Sequence, residues 1–263
     1  MKLICLVKFV PDVDNFKYDF EKNVLIRENT DLVLNPDDAK AIAFALKMKA
    51  LNPEIIVEIL SMGPKNVAAK LEDLLRLKID KATLISDSMY VGSDTYVTSQ
   101  ILAKHINSLE YDCILTGTHS LDGDTAHVPS QIAELLSLVQ LSNVVEVNHF
   151  SQKRFNVCVD SENFIETYEV SLPIVLSFSK ESKLKLPYIK FEDIDRDVQD
   201  KLHVIDNTIL NFDKKNVGLE GSLTKVMRSF VKQFTKKEKL IIQCDEEGVS
   251  SVYRFLKHLG YIK

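Results

Sequence analysis

No apolar run in this 263-residue chain approaches the roughly 20 residues that a membrane-spanning helix needs. The opening Met1–Val10 is apolar, but it is short and runs straight into Pro11-Asp12 without a small-residue cleavage site. It is therefore expected to be a buried strand of a cytoplasmic protein and not a secretory leader. A basic stripe is missing too. The net charge is −5, and the Lys/Arg residues around Lys232–Lys239 are offset by acidic stretches at Glu192–Asp200 and Asp245–Glu247. These runs read as solvated faces, which speaks against a nucleic-acid surface. Cysteine is scarce: Cys5, Cys113, Cys158 and Cys244 are far apart, form no CxxC and have no histidine at ligand spacing. Reduced, buried thiols are expected, without a metal centre. GxGxxG, a phosphate loop and GxSxG are all absent, as is any arguable Ser–His–Asp or Cys–His set. The pattern thus offers no acid–base machinery, and no repeat or low-complexity tract.

What is present is the balance of a globular protein, 45% hydrophobic and 27% charged. Apolar runs alternate with helical patterns through the first half. Leu3–Val7 has the continuous apolarity of a strand buried on both faces. Phe16–Phe20 and Val24–Arg27 suggest a small hairpin. Asn35-Pro36-Asp37-Asp38 then opens a helix over Ala39–Lys49, with Asn as cap, Pro at the first position and two acids on the dipole. Further strands are expected at Ile55–Leu60, Ala82–Ile85 and Cys113–Thr116. Helices are expected over Asn66–Leu77, after Gly92-Ser93-Asp94-Thr95 (with Val97, Ile101, Leu102 and His105 on one side), and over about Thr125–Leu138. This spacing predicts an α/β fold with a mostly parallel twisted sheet and helices on both faces. After Leu141 the segments Val144–Asn148, Arg154–Val159 and Phe164–Val170 alternate as antiparallel strands do, and Pro173–Phe178 is apolar enough to rejoin the sheet. The expected division is an α/β domain over residues 1–185 and an arm over 186–263. The arm carries a terminal strand at Leu240–Gln243 and a helix at Glu247–Leu259, and packs on another subunit.

Ligands of open parallel sheets bind at the carboxyl ends of the strands, near a switch in strand order. That rule selects the loops Lys8–Asp12, Ser61–Pro64, Ser86–Asp94 and Gly117–Asp124. Helix N-termini there favour an anion such as a pyrophosphate, and Gly92 and Gly123 let the backbone come close to it. Asp94, Thr95, Thr98 and Ser99 cluster on one side; Asp122, Asp124 and Thr125 cluster on the other. The carboxylates would repel a phosphate, so they suit ribose or ribityl hydroxyls while backbone amides meet the phosphates. The same residue types would serve equally well as helix caps.

At these loops the chain resembles the β subunits of electron-transfer flavoproteins. Val7-Lys8-Phe9-Val10-Pro11-Asp12 is similar to their VKxVPD opening, Asn35–Asp38 to their NPxD segment and Ser61–Pro64 to their S-x-G-P turn. Gly117–Glu134, GTHSLDGDTAHVPSQIAE, resembles GxQAxDGDTAQVGxxxAE, and Val217–Val226 resembles the LGLxGSPTxV arm. The matches keep the family's order across nearly the whole chain. The resemblance implies a fold like that of the adenine-nucleotide α-hydrolases and an α subunit that holds the electron-transferring FAD. It also implies a nucleotide site formed by Leu6, Lys8, Asn35, Asp38, Met62, Gly63, Gly92, Asp94, Thr95, Thr98, Gly117, His119, Asp122, Gly123, Asp124, Thr125, His127 and Val128.

Simpler members hold a structural AMP in the β subunit; electron-bifurcating members hold a second FAD there, which takes a hydride from NADH. Gly92–Ser99 resembles the GxDTxATS loop of the bifurcating type, and Asp122-Gly123-Asp124-Thr125 fits that type as well. The resemblance therefore favours FAD over AMP, with an FAD-dependent acyl-CoA or 2-hydroxyacid (lactate) dehydrogenase and ferredoxin as electron acceptors. A stand-alone ATP-binding protein of the same broad fold is the reading from another class, and it lacks a phosphate loop. His119 and His127 replace family glutamines, as hydrogen-bond donors to a flavin or as neutral substitutes. Ser179–Lys185 replaces the family's NxPRY recognition stretch. Leu186 stands at its apolar anchor, or is an ordinary loop leucine.

Overall fold

A computed structural model describes residues 1–12, 17–19, 24–26, 31–150, 154–224 and 241–262. The chain falls into two compact units, Met1–Val226 and Met227–Lys263.

The first unit is built on a nine-stranded sheet. In chain order its elements begin with β1 (Lys2–Val7), β2 (Phe9–Pro11), β3 (Lys17–Asp19), β4 (Val24–Ile26), β5 (Leu32–Leu34) and α1 (Pro36–Leu51). Then come β6 (Ile56–Met62), α2 (Val67–Leu75), β7 (Lys81–Ile85), α3 (Thr95–Ile106), β8 (Cys113–Gly117) and α4 (Val128–Leu135). They are followed by β9 (Val139–Phe150), β10 (Arg154–Ser161), β11 (Phe164–Ser171), β12 (Ile174–Phe178), β13 (Leu202–Ile205) and the short helices α5 (Asn207–Leu210) and α6 (Gly218–Gly221).

The sheet order is β11-β10-β9-β12-β8-β1-β6-β7-β13. From β9 to β13 every neighbouring pair is parallel, and β10 and β11 extend one side as an antiparallel hairpin. The chain steps outward from β1 to β6 and β7, then returns to β8 on the opposite side of β1. Right-handed crossovers to opposite sides put the helices on opposite faces. Alternation along β1 follows from this: Leu3, Cys5 and Val7 join one apolar cluster with α1 and α2, while Ile4 and Leu6 join a second with α3 and α4. In the first, Phe44 lies 5.2 Å from Phe178 and 6.3 Å from Phe155 between ring centroids. A large side chain buried so completely contributes about 1.5–3 kcal/mol.

The expected α/β architecture is the one observed, and several details differ. The hairpin expected near residue 20 is present as β3 paired with β4, while Phe16, Phe20 and Arg27 lie outside the described residues. The helix expected from Thr125 starts only at Val128 and ends at Leu135. Asp124 and Ala126 have φ of 48° and 54°, and Ser137 has 55°, so left-handed backbone at non-glycine residues shortens it at both ends. β13 was not expected; it is four residues long and adds to the edge beside β7. Residues between Leu186 and Thr224, assigned to the arm from sequence, contribute β13, α5 and α6 to the first unit, with Val198, Leu210 and Val217 buried in its core. Ile241–Gln243 is not a strand, and Leu240 lies outside the described residues. The thiols are not all buried: Cys5 and Cys113 are, Cys158 is half-buried and Cys244 is exposed.

The second unit contains α7 (Glu246–His258), capped by the Asp245 side chain, which accepts the Gly248 amide. Val249, Val252, Tyr253 and Phe255 on α7 are exposed. Among the described residues no helix is long and apolar enough to cross a membrane.

Candidate nucleotide site

The strand order reverses beside β1, so the ends of β1 and β8 define the crevice where this architecture receives ligands. The α1 N-terminus is stitched across that crevice. Asp38 accepts the Lys8 amide on Oδ2 at 2.8 Å and the Gly117 amide on Oδ1 at 2.9 Å, so one carboxylate joins the ends of both strands. Asp37 accepts the His119 amide at 3.2 Å. Asn35 donates to the His119 carbonyl at 2.7 Å and accepts the Leu121 amide at 3.2 Å. Asn35 makes no side-chain cap to α1, contrary to the sequence expectation, because its amide is committed to this loop. Burial pushes the Asp38 carboxyl up to about 7, against the pull of the Lys8, Asn35 and Gly117 hydrogen bonds. Burial raises Asp37 as well, opposed by the His119 amide.

Gly117 is required by this stitching. A Cβ there would meet the Asp38 carboxylate and sit 2.6 Å from the Asp37 Cβ and 2.7 Å from the Asp38 nitrogen.

The loop beyond Gly117 is braced by two side-chain pairs. Lys8 Nζ lies 2.7 Å from Asp122, and His119 Nδ1 lies 2.9 Å from Asp124 Oδ1. Burial alone would raise Asp122, but the Lys8 ammonium and the Ser120 hydroxyl outweigh it and hold this carboxyl below its ordinary range. Both pairs are largely exposed, where such pairs contribute about 0.2–1 kcal/mol. They shape the loop more than they stabilise the fold.

On the opposite face, α3 and α4 begin side by side. Ser99 donates to Gln131 Oε1 at 2.9 Å, joining the second turn of one helix to the first turn of the other. Asp94 caps α3 by accepting the Val97 amide at 3.0 Å. The helix-cap alternative is therefore realised for Asp94. Among the described residues the amides of Thr95, Tyr96, His127, Val128 and Ser130 have no acceptor, and the hydroxyls of Thr95, Thr98 and Thr125 have no partner. Two adjacent helix N-termini thus present open donors and the positive ends of their dipoles. Leu6, Met62 and Val128 belong to the apolar cluster beneath these helices. Gly63 follows β6, its amide bonded to the Ile85 carbonyl at 3.1 Å.

Most sequence candidates therefore gather at one edge of the sheet in two roles. Asn35, Asp38, Gly117, His119, Asp122 and Asp124 build the loops. Thr95, Thr98, Thr125, His127 and Val128 leave groups open. Leu186, expected as a partner anchor, is partly buried against the apolar cluster on the α1 face.

Four residues had not been singled out as candidates. Asp37 was visible only as a neighbour of Asp38. Ser222 and Thr224 lay in the arm motif, with nothing to show that they reach Asp94. Asn207, which accepts from the Tyr90 hydroxyl at 2.9 Å and donates its amide to Asp87, had no sequence signal.

The donors, hydroxyls and apolar floor suit a nucleotide: amides for phosphates, hydroxyls for a polyol chain, aliphatic side chains for a planar base. The family model described as the electron transfer flavoprotein domain matches residues 22–190. The electron transfer flavoprotein subunit beta of Clostridium acetobutylicum is 35% identical, with all of both chains covered. The caffeyl-CoA reductase-Etf complex subunit CarD of Acetobacterium woodii is 34% identical over 88% of this chain and 87% of its own. The acryloyl-CoA reductase electron transfer subunit gamma of Anaerotignum propionicum is 30% identical over 88% of each.

Proposed function

The chain belongs to the electron transfer flavoprotein family, as a β subunit that pairs with an α subunit, and from that premise we propose that the edge shared by α3 and α4 holds an FAD in this subunit. In this reading the complex is electron-bifurcating. The chemistry the flavin supplies when bound is acceptance of a hydride from NADH and its onward passage as single electrons, one through the α-subunit FAD to a dehydrogenase and one to ferredoxin.

The observation that carries the reading is the pair of adjoining helix N-termini with free amides above Leu6, Met62 and Val128. The amides of Thr95 and Tyr96 on one helix, and of Val128 and Ser130 on the other, are the donors for a pyrophosphate. Thr95, Thr98 and Thr125 offer hydroxyls to the ribityl or ribose chain. Lys8 stays tied to Asp122, which fixes the loop beside the site and keeps that carboxylate's charge compensated. His119 is held by Asp124, so it orients the loop before it meets any ligand. The electron acceptor is an FAD-dependent acyl-CoA or 2-hydroxyacid dehydrogenase. The names of the A. woodii and A. propionicum relatives, both from CoA-thioester reductase systems, favour the first.

The competing reading is a β subunit that holds AMP as a structural ligand. The α/β pair, purified and extracted, is expected to yield two FAD per pair. One FAD and one AMP would overturn bifurcation and leave the AMP-holding subunit.

A further inference from the structure

Segment Gly218–Thr224 grips the loop that leads into α3. Val217 is buried in the core beneath α3. Gly218 turns with φ of 59°, and a Cβ there would press on the Met89 carbonyl and sit 3.0 Å from the Val91 oxygen. The Leu219 amide donates to the Val91 carbonyl at 3.2 Å, and a Cβ on Gly92 would sit 3.1 Å from the Leu219 Cβ. Ser222 is buried; its hydroxyl accepts the Asp94 amide at 2.9 Å and donates to the Gly218 carbonyl at 2.7 Å, with the Gly92 carbonyl at 3.1 Å. Thr224 closes the arrangement, giving Asp94 Oδ2 both its amide and its hydroxyl at 2.9 Å each.

The Asp94 carboxylate is already committed to three protein donors. A carboxylate offers about four acceptor positions. Val97 takes one on Oδ1, and Thr224 takes two on Oδ2. A bound nucleotide's hydroxyl would therefore have to share a carboxylate already held by three protein donors.

We infer that Ser222 and Thr224 are positioning residues of the nucleotide site, acting through Asp94, which serves as a strut holding the start of α3 and is not itself a nucleotide ligand. This rests on the nucleotide-binding reading given above. The segment sets where the open Thr95 and Tyr96 amides point, although it lies about 130 residues from them in sequence. Small angular changes at a helix start displace donors by tenths of an ångström, which is enough to weaken bonds to a phosphate.

The test uses the α/β pair, with FAD and AMP as separate probes of the second site, after that site has been emptied. Thr224→Val keeps the shape and the backbone amide and removes one bond to Asp94. It is expected to raise the dissociation constant of the bound nucleotide about tenfold. Thr224→Ser is expected to restore it. Asp94→Asn is expected to weaken binding at least as much, and the double variant Asp94→Asn with Thr224→Val no further, because both act through one strut. A role in stability alone would lower the melting temperature of Thr224→Val and leave its dissociation constant at the wild-type value. That result overturns the inference, as does a double variant that binds more weakly than Asp94→Asn by the full Thr224→Val factor, which would show that the two residues act independently. Should Thr224→Val fail to assemble, Ser222→Ala gives the same reading from the other anchor. If the wild-type pair takes up neither probe, the nucleotide reading falls and this inference with it. If the wild type binds and the variants bind equally well, only the inference falls.

Discussion

Gly117→Ala is expected to lower the melting temperature of the α/β pair by roughly 6–12 °C, corresponding to about 3 kcal/mol of overpacking. The added methyl would meet the Asp38 carboxylate and approach within 2.6 Å of the Asp37 Cβ and 2.7 Å of the Asp38 nitrogen. None of these is the free end of a flexible side chain. Relief requires α1 to withdraw from the ends of β1 and β8, which breaks the Lys8 and Gly117 bonds to Asp38. Gly123→Ala is the control. A Cβ there would have its nearest neighbour, the Ser120 hydroxyl, at 3.7 Å, an ordinary contact, so that variant is expected to melt within about 1 °C of wild type. Equal melting temperatures for the two alanine variants would show that the α1 junction is not tight.

Asp38→Asn is expected to destabilise the fold by about 2–4 kcal/mol and to change its pH dependence. Asp38 is 6% exposed and accepts two backbone amides, one on each oxygen. An asparagine would satisfy one of them and turn its own NH2 against the other. The pH effect has the sign of a raised carboxylate. Burial lifts Asp38 to about 7 in the fold, while the unfolded chain keeps it near 4. Between these values the native state binds the extra proton, so this group's contribution to stability is full at acid pH and is lost as pH rises toward about 7. Asp37, His119 and Lys8 stand around it, together with the Cys5 thiol beneath, and all are present in both proteins. The stability difference between wild type and Asp38→Asn, followed by denaturant titration from pH 5 to 8, should therefore shrink as pH rises. A constant difference would place the Asp38 pKa outside that window.

These two residues also show where sequence stops being informative. Leu3–Val7 announces a doubly buried strand, and Asn35-Pro36-Asp37-Asp38 announces a helix start, because both patterns are local. What Asn35 and Asp38 do is not local. Their partners are the Lys8, Gly117, His119 and Leu121 backbone groups, up to 86 residues away. The same holds for Asp94. Its helix-cap bond spans three residues and was one of two open readings, whereas its bonds to Thr224 span 130. The late start of α4 has no local sequence signal, because left-handed backbone at Asp124 and Ala126 follows from loop closure and not from glycine. β13 is too short to stand out from the polar stretch around it.

The uneven burial of the four thiols gives the chain a built-in gauge of its own opening. Cys5 and Cys113 sit in adjacent central strands with no exposure, and burial drives both thiols well above their ordinary pKa, so neither forms the reactive thiolate while the sheet is intact. Cys244 is exposed in the second unit, and Cys158 is half-buried in the antiparallel extension. A thiol reagent therefore meets the chain in stages. The outer pair reports on the native molecule, and the inner pair answers only when the sheet comes apart.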